Sequence, residues 1–286
     1  MAMISTNGTR LSYDEAGEGP AIVFVHAGVA DRRMWDHQFA ELSGTHRAVR
    51  YDRRGYGGSA DHEGGISHHE DLLGLMDALD IEEAVLVGAS FGGAHVVDAA
   101  LAEPERVRAL ALVCPGMSGH TWPEAYVRES RKMLLSAVPY ERLATYRAGN
   151  AVPDPADVAA MAEAQARFMV LGPGRSPEEM PLEAWDLTLL MLRELFARRW
   201  SSPPNDTRWP ERPAGERLHE ITAPTLVVKG LSEIPQIQEV ADLYAEGVRD
   251  ARLREMAQTG HLPSVERPGE LTALLTAFLH DLPRSG

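Results

Sequence analysis

An α/β protein built on a mainly parallel, doubly wound sheet is the fold class that the sequence predicts, and three observations predict it. Short apolar runs bounded by turn residues recur along the chain, segments with helical spacing lie between them, and the runs lack the in–out alternation of a half-exposed strand. Such runs suit strands buried on both faces, and regular strand–helix alternation gives a parallel sheet with helices on either side.

The chain opens differently, because Met3 to Glu15 alternate around Asn7-Gly8. That dipeptide tolerates the positive φ of a type I′ turn, which predicts an antiparallel hairpin. The apolar runs then predict strands at Ala21 to Val25, Ala48 to Tyr51, Ala84 to Val87, Val107 to Val113, Thr225 to Lys229 and Ala251 to Met256. Helical spacing predicts helices over Asp36 to Ser43, His69 to Leu79, Gly92 to Ala102 with Pro104 as its stop, Gln236 to Glu246, and Pro268 to Leu279.

The interval from Pro115 to Ala223 breaks the alternation and shows no convincing strand. Its helical stretches are Glu124 to Ala137, Asp154 to Leu171 and Glu183 to Trp200, with Gly172-Pro173-Gly174 as one of the breaks. The proline-rich stretch Ser201 to Glu216 reads as an irregular return. Residues 1–114 and 224–286 therefore form a core domain, and 115–223 a helical insertion.

At 286 residues, 44% hydrophobic and 24% charged, the chain is long enough to bury a substantial core and falls outside the disordered, collagenous and disulfide-scaffold classes. A formal net charge of −14 repels phosphate backbones and anionic lipid, so neither nucleic acid nor membrane is an expected partner. No apolar run is long enough to span a bilayer and no leader pattern opens the chain, which makes a cytoplasmic location the expectation. The single cysteine, Cys114, leaves no intrachain disulfide and no multi-thiolate metal framework; it reads as a small buried hydrophobe at a strand end.

The strongest chemical signal is Val85-Leu86-Val87-Gly88-Ala89-Ser90-Phe91-Gly92-Gly93, a buried strand running through G-x-S-x-G into a helix. A serine on so sharp a turn is lifted clear of the sheet. The flanking glycines remove side chains that would collide, and the helix brings its positive end near developing negative charge. A serine hydroxyl is a weak nucleophile near neutral pH and needs an imidazole base, itself oriented by a carboxylate. Thr259-Gly260-His261 follows the last predicted strand, and Lys229-Gly230-Leu231-Ser232-Glu233 follows the one before it. Both fall at carboxyl ends of strands, where open α/β sheets place their chemistry. Ser90, Glu233 and His261 are accordingly the candidate triad.

On these residues, together with His26-Ala27-Gly28-Val29 and Asp52-Arg53-Arg54-Gly55-Tyr56-Gly57-Gly58-Ser59, the sequence resembles the α/β-hydrolase superfamily over essentially its whole length. The resemblance implies an α/β-hydrolase type of sheet, a helical cap inserted after the sixth strand, and an oxyanion hole formed by the backbone N–H groups of Gly28 and Phe91. Two features, the oxyanion loop and the acid, depart from the family pattern. Ala27 stands where glycine is usual, with Gly28 where a larger residue is common, and the acid is Glu233 where aspartate predominates.

Other residues keep structural readings. His68-His69-Glu70-Asp71 is expected to be a solvated helix start, His26 a brace for its loop, Asp52 structural, and Arg53 and Arg54 braces or solvent-facing groups. No phosphate-cradling glycine pattern is present. The bulky residues Trp122, Met133, Met161, Met169, Trp185, Met191 and Trp200 are expected to form the core of the insertion, some of them lining an apolar pocket. The expected activity is hydrolysis of an ester, lactone or thioester of a largely apolar small molecule through an acyl-enzyme, with no metal or organic cofactor. The same triad supports a C–C bond hydrolase or lyase, and the fold also accommodates a non-hydrolytic ligand-binding protein.

Overall fold

The computed structural model describes residues 2–283 apart from 62–64, 150, 203 and 205. In chain order the elements are β1 (Ala2–Thr6), β2 (Thr9–Ala16), β3 (Ala21–Val25), α1 (Asp36–Leu42), β4 (Arg47–Tyr51), β5 (Gly65–Ile66), α2 (His68–Ala78), β6 (Ala84–Ala89), α3 (Phe91–Ala102) and β7 (Val107–Val113). Then come α4 (Glu124–Ala137), α5 (Tyr140–Arg147), α6 (Pro155–Gln165), α7 (Leu182–Ser201), β8 (Asp206–Thr207), β9 (Thr225–Gly230), α8 (Pro235–Gly247), β10 (Ala251–Met256), α9 (Pro263–Glu266) and α10 (Pro268–Asp281).

The main sheet has eight strands in the order β1-β2-β4-β3-β6-β7-β9-β10. The opening hairpin is antiparallel, with Asn7 at φ 44° and Gly8 at φ 70°, as a type I′ turn requires. The β2–β4 pairing is also antiparallel and all other pairings are parallel. Every residue of β6 is buried, which is why its sequence is a continuous apolar run with no alternation. From β3 the chain goes first to β4 on one side and then crosses to β6 on the other. The crevice between the carboxyl ends of β3 and β6 is therefore the topological switch point, where a ligand can enter between diverging loops.

The insertion leaves after β7, the sixth strand of this sheet in chain order. Helices α4, α6 and α7 start within a residue or two of where the sequence places them. Helix α5 was not foreseen, and α6 runs on into a wide π-type turn at Ala166–Leu171. The interval is not wholly strandless, because β8 pairs with β5 over two residues; so short a ladder leaves no periodicity to read. Met161, Leu192, Phe196 and Trp200 pack with Val138, Leu143 and Tyr146 as a separate apolar cluster that also takes in Tyr56. By contrast α4 has no buried residue.

Several contacts hold the insertion to the core, two of them through Arg198 and Ser118. Arg198 on α7 donates to the Gly57 carbonyl at 2.7 Å, to the Ser59 carbonyl and to Asp61. At the base, Ser118 Oγ donates to Asp98 Oδ1 on α3 at 2.6 Å and accepts from the Ala214 N–H at 2.8 Å, stitching the outgoing and returning chain to one carboxylate.

Candidate active site

Ser90 sits between β6 and α3 with φ 51°, a left-handed conformation that a non-glycine residue adopts only where its surroundings enforce it. The surroundings do so. Its N–H donates to the Val113 carbonyl at 3.1 Å, its own carbonyl accepts from the Gly116 N–H at 2.8 Å, and the flanking backbone is crowded. A Cβ at Gly88 would collide with the Gly92 carbonyl, and one at Gly92 with the Val25 carbonyl. Both glycines of G-x-S-x-G are thus steric requirements of the turn. The hydroxyl stands over the start of α3, whose first N–H groups have no intrahelical acceptor.

The loop after β3 faces this helix end. Burial, reinforced by the Arg53 charge, pushes the His26 imidazole well below its ordinary pKa, so the ring is neutral. It lies 2.7 Å from the Ala27 carbonyl through Nδ1 and accepts from the Arg53 N–H at Nε2 over 2.9 Å, an arrangement that assigns the proton to Nδ1. A Cβ on Gly28 would come within 2.7 Å of Phe91 Cδ2, so glycine is what permits the two residues to approach. The Gly28 N–H meets no protein acceptor among the described residues.

His261 and Glu233 are brought together as expected: Nδ1 of the imidazole is hydrogen-bonded to Glu233 Oε1, with both residues 1% exposed or less. The Ser232 N–H donates to the Thr259 carbonyl at 2.9 Å, tying the loop after β9 to the loop after β10. Gly230 lacks a Cβ where one would collide with the Thr259 and Gly260 carbonyls. Nε2 of His261 is buried and has no hydrogen-bond partner among the described residues, Ser90 included. Catalytic hydrogen bonds of this kind often close only around substrate.

Cys114, at the end of β7 with φ 45°, lies beside this pair and donates weakly to the Gly260 carbonyl at 3.7 Å. Its Sγ and ligand-type atoms of Glu233 and His261 lie within 4.8 Å of one another. Burial, then the neighbouring Glu233, pushes the thiol well above its usual pKa, so a cation would have to displace a proton from the sulfur.

A chamber of about 570 Å³ opens over Ser90. Gly28 and Phe91 line it with Ser90, and His261 and Glu233 are not among its lining residues. Trp122, Tyr126, Met161 and Met169 of the insertion supply apolar surface, and so does Ile237 of α8. Arg147, Arg198 and Arg199 line it as well. Arg198 is paired with Asp61, but among the described residues Arg147 and Arg199 have no carboxylate within ion-pair distance.

Sequence reasoning missed Tyr56. Its hydroxyl accepts from Arg199 Nη2 at 3.1 Å and reaches towards the Gly28 carbonyl at 3.4 Å, while the Arg53 guanidinium lies 4.5 Å from its ring centre. Burial alone would raise this phenol, but the Arg53 and Arg199 charges outweigh it and bring its pKa below the ordinary value. The glycine-rich turn that carries Tyr56 was visible in the sequence; the arginine from α7 that meets it was not.

Two structural expectations are corrected. His68 and Asp71 are buried, not part of a solvated turn, and Asp71 accepts from both Arg54 and Asn7. Arg53 and Arg54 do not face solvent: both are buried, Arg54 on Asp71 and Arg53 beside His95 at 3.0 Å.

Comparison with known proteins bears on this arrangement. Residues 22–274 match the sequence profile described as the alpha/beta hydrolase family. The 2-hydroxy-6-oxo-6-phenylhexa-2,4-dienoate hydrolase of Comamonas testosteroni is 29% identical over 293 residues, covering 94% of this chain and 91% of that protein. Epoxide hydrolase A of Mycobacterium tuberculosis is 28% identical over 323 residues, covering 98% of this chain and 97% of that protein. Among solved structures, the enol-lactonase from Burkholderia xenovorans LB400 superposes with a TM-score of 0.71 at 25% identity, covering 98% of this chain and 100% of that one.

Proposed function

The chain belongs to the alpha/beta hydrolase family, and from that premise we propose that it is a serine hydrolase of esters or lactones that carry an anionic group. The observation that carries the reading is the buried His261–Glu233 pair with Nε2 left open, set beside a serine held at positive φ over a helix start. In the first step His261 Nε2 takes the Ser90 proton as Oγ attacks the substrate carbonyl. Glu233 holds the imidazole in the Nδ1–H form and stabilises it once charged. The N–H groups of Gly28 and Phe91 receive the oxyanion, donors of a kind worth on the order of 10² to 10³ each in rate. The tetrahedral adduct then expels the alcohol, protonated by His261, and water resolves the acyl-enzyme by the same route.

Residues 115–223 act in this reading as a cap that closes the chamber and selects substrate. Its apolar surface suits the body of a hydrophobic molecule, as the sequence suggested. Arg147 and Arg199, without acidic partners among the described residues, favour a carboxylate at one end. The Comamonas relative is named for a dienoate substrate, itself a carboxylate. Hydrolysis of a C–C bond is the second reading, since the same triad would support it by attack at a carbonyl. Epoxide opening is disfavoured: a serine alkoxide would give a stable ether, whereas a carboxylate nucleophile gives an ester that water can cleave.

Assay of p-nitrophenyl esters with neutral and carboxylated acyl chains, beside lactones and a 2-hydroxy-6-oxo-dienoate, tests the proposal. The expected result is turnover of esters or lactones, a kcat/KM at least about tenfold higher for the carboxylated member, and fluorophosphonate labelling confined to Ser90. Labelling of another serine, or cleavage of the dienoate alone, overturns it.

A further inference from the structure

The insertion does more than roof the chamber, because its π-type turn reaches the backbone that carries the imidazole. The His261 N–H donates to the Val170 carbonyl at 3.0 Å, an acceptor left available by the wide turn at Ala166–Leu171. One residue earlier, the Gly260 N–H donates to Glu266 Oε2 at 2.8 Å, and the other oxygen of that carboxylate pairs with Arg175 Nη2 at 2.5 Å. Arg175 also donates through Nη1 to the Leu171 carbonyl at 3.2 Å. Both charged groups are nearly sealed from water, with side chains 8% and 2% exposed. The turn also meets the other half of the pair. Gly172, at φ 84°, lies so close to the Ser232 carbonyl that a Cβ there would collide with it. Glycine 260 is required for the same reason, since its Cβ would strike the Val170 carbonyl.

We propose that Arg175 and Glu266 are positioning residues: with the Val170 carbonyl they bracket Gly260–His261 and fix the imidazole against Glu233, so that the insertion sets the geometry of the base. This rests on the reading of His261 as the base. The physical argument is that a buried carboxylate shared between a guanidinium and a backbone N–H has few alternative partners, so the loop has one low-energy placement. An ion pair kept only to anchor the insertion would have no need of the N–H immediately preceding the imidazole.

The test uses Glu266→Gln, Arg175→Lys, Gly172→Ala and the double variant Arg175→Met/Glu266→Gln, with His261→Ala and wild type as references. Steady-state kinetics on an activated ester are read well below the thermal midpoint of each variant, and folding is followed by far-UV circular dichroism. Glu266→Gln and Gly172→Ala should lower kcat by about tenfold to a hundredfold, as expected for a slight misplacement of a catalytic group, with KM changed less than about twofold. Arg175→Lys, which keeps the charge, should recover much of kcat. The double variant, which leaves no lone buried charge, should regain thermal stability without regaining kcat. It stands in for Glu266→Gln should that variant fail to fold. If kcat stays at the wild-type value in folded Glu266→Gln or in the double variant while His261→Ala is inactive, the bracket is overturned and the triad stands. If His261→Ala turns over normally, the triad and the bracket fall together.

Discussion

The sheet edge that carries Ser90 and the helical layer above it are built to different tolerances. Around Ser90 the backbone is specified atom by atom: a strand buried along its whole length, a residue at positive φ, and two glycines at which any side chain would collide with backbone. In the insertion, α4 buries nothing completely, Val127 and Leu135 on it face outward, and the chamber wall is made of methionine and aromatic side chains that repack readily. In the proposed function, chemistry that needs atoms placed to within a few tenths of an ångström lies on the rigid side, and the choice of substrate on the adaptable one.

That contrast predicts which kinetic constant each change moves. Ser90→Ala should have the largest effect, lowering kcat by on the order of 10⁵ to 10⁶ with an unchanged circular dichroism spectrum. Next comes Glu233→Gln, which keeps the shape but supplies an amide that favours the wrong imidazole tautomer; turnover should fall by roughly 10² to 10⁴. Glu233→Asp, with the charge kept and the reach shortened by a methylene, should retain more activity than the amide. Wild-type turnover in Glu233→Gln would remove this residue from the triad. On the adaptable side, Arg199→Gln should raise KM for a carboxylated ester about tenfold, leave kcat within about twofold and spare the neutral ester. Equal losses on both esters would break the division.

The smallest effect is expected at the joint between the two regions. Burial raises the Asp98 carboxyl to about 6 from its ordinary 3.8, despite the Ser118 hydrogen bond that opposes this. Between those two values the folded protein binds the proton and the unfolded chain does not, so this group's contribution to stability is fully present below about pH 4 and is lost as pH rises through about 6. The shift corresponds to about 2–3 kcal/mol. Asp98→Asn keeps an acceptor for Ser118 without the charge. It should match wild type near pH 4 and exceed it at pH 7.5 by up to that amount, as read from urea midpoints. A variant less stable than wild type at pH 7.5 would show that the carboxylate strengthens the joint.

What the sequence disclosed follows the same division. The strand of Ser90, both of its glycines, and the hairpin at Asn7-Gly8 were legible because each depends on local backbone geometry that only certain residues satisfy. Helix α5 was missed because Leu143 and Tyr146 are its only buried residues, too few to make a stripe. The Val170 acceptor could not be read, since a carbonyl has no residue type. Arg199 on Tyr56 brings together positions far apart in the chain, and neither side chain announces the other. The burial of His68 and Asp71 shows the converse limit: polar residues at a helix start read as a solvated turn, where the fold in fact encloses them.

The hydrogen bond between Ser118 and the Ala214 N–H, 2.8 Å long, has a consequence for how such proteins diversify. Because the outgoing and returning chain meet at one point, the whole stretch between them could be exchanged for another without disturbing strand register. Substrate range could then change by recombination, in a single event. The freedom is not complete, since an imported segment must still present an acceptor to the His261 N–H where Val170 now does. Chimeras that respect only the two junctions should fold and bind, and those that also supply this acceptor should be the ones that turn over.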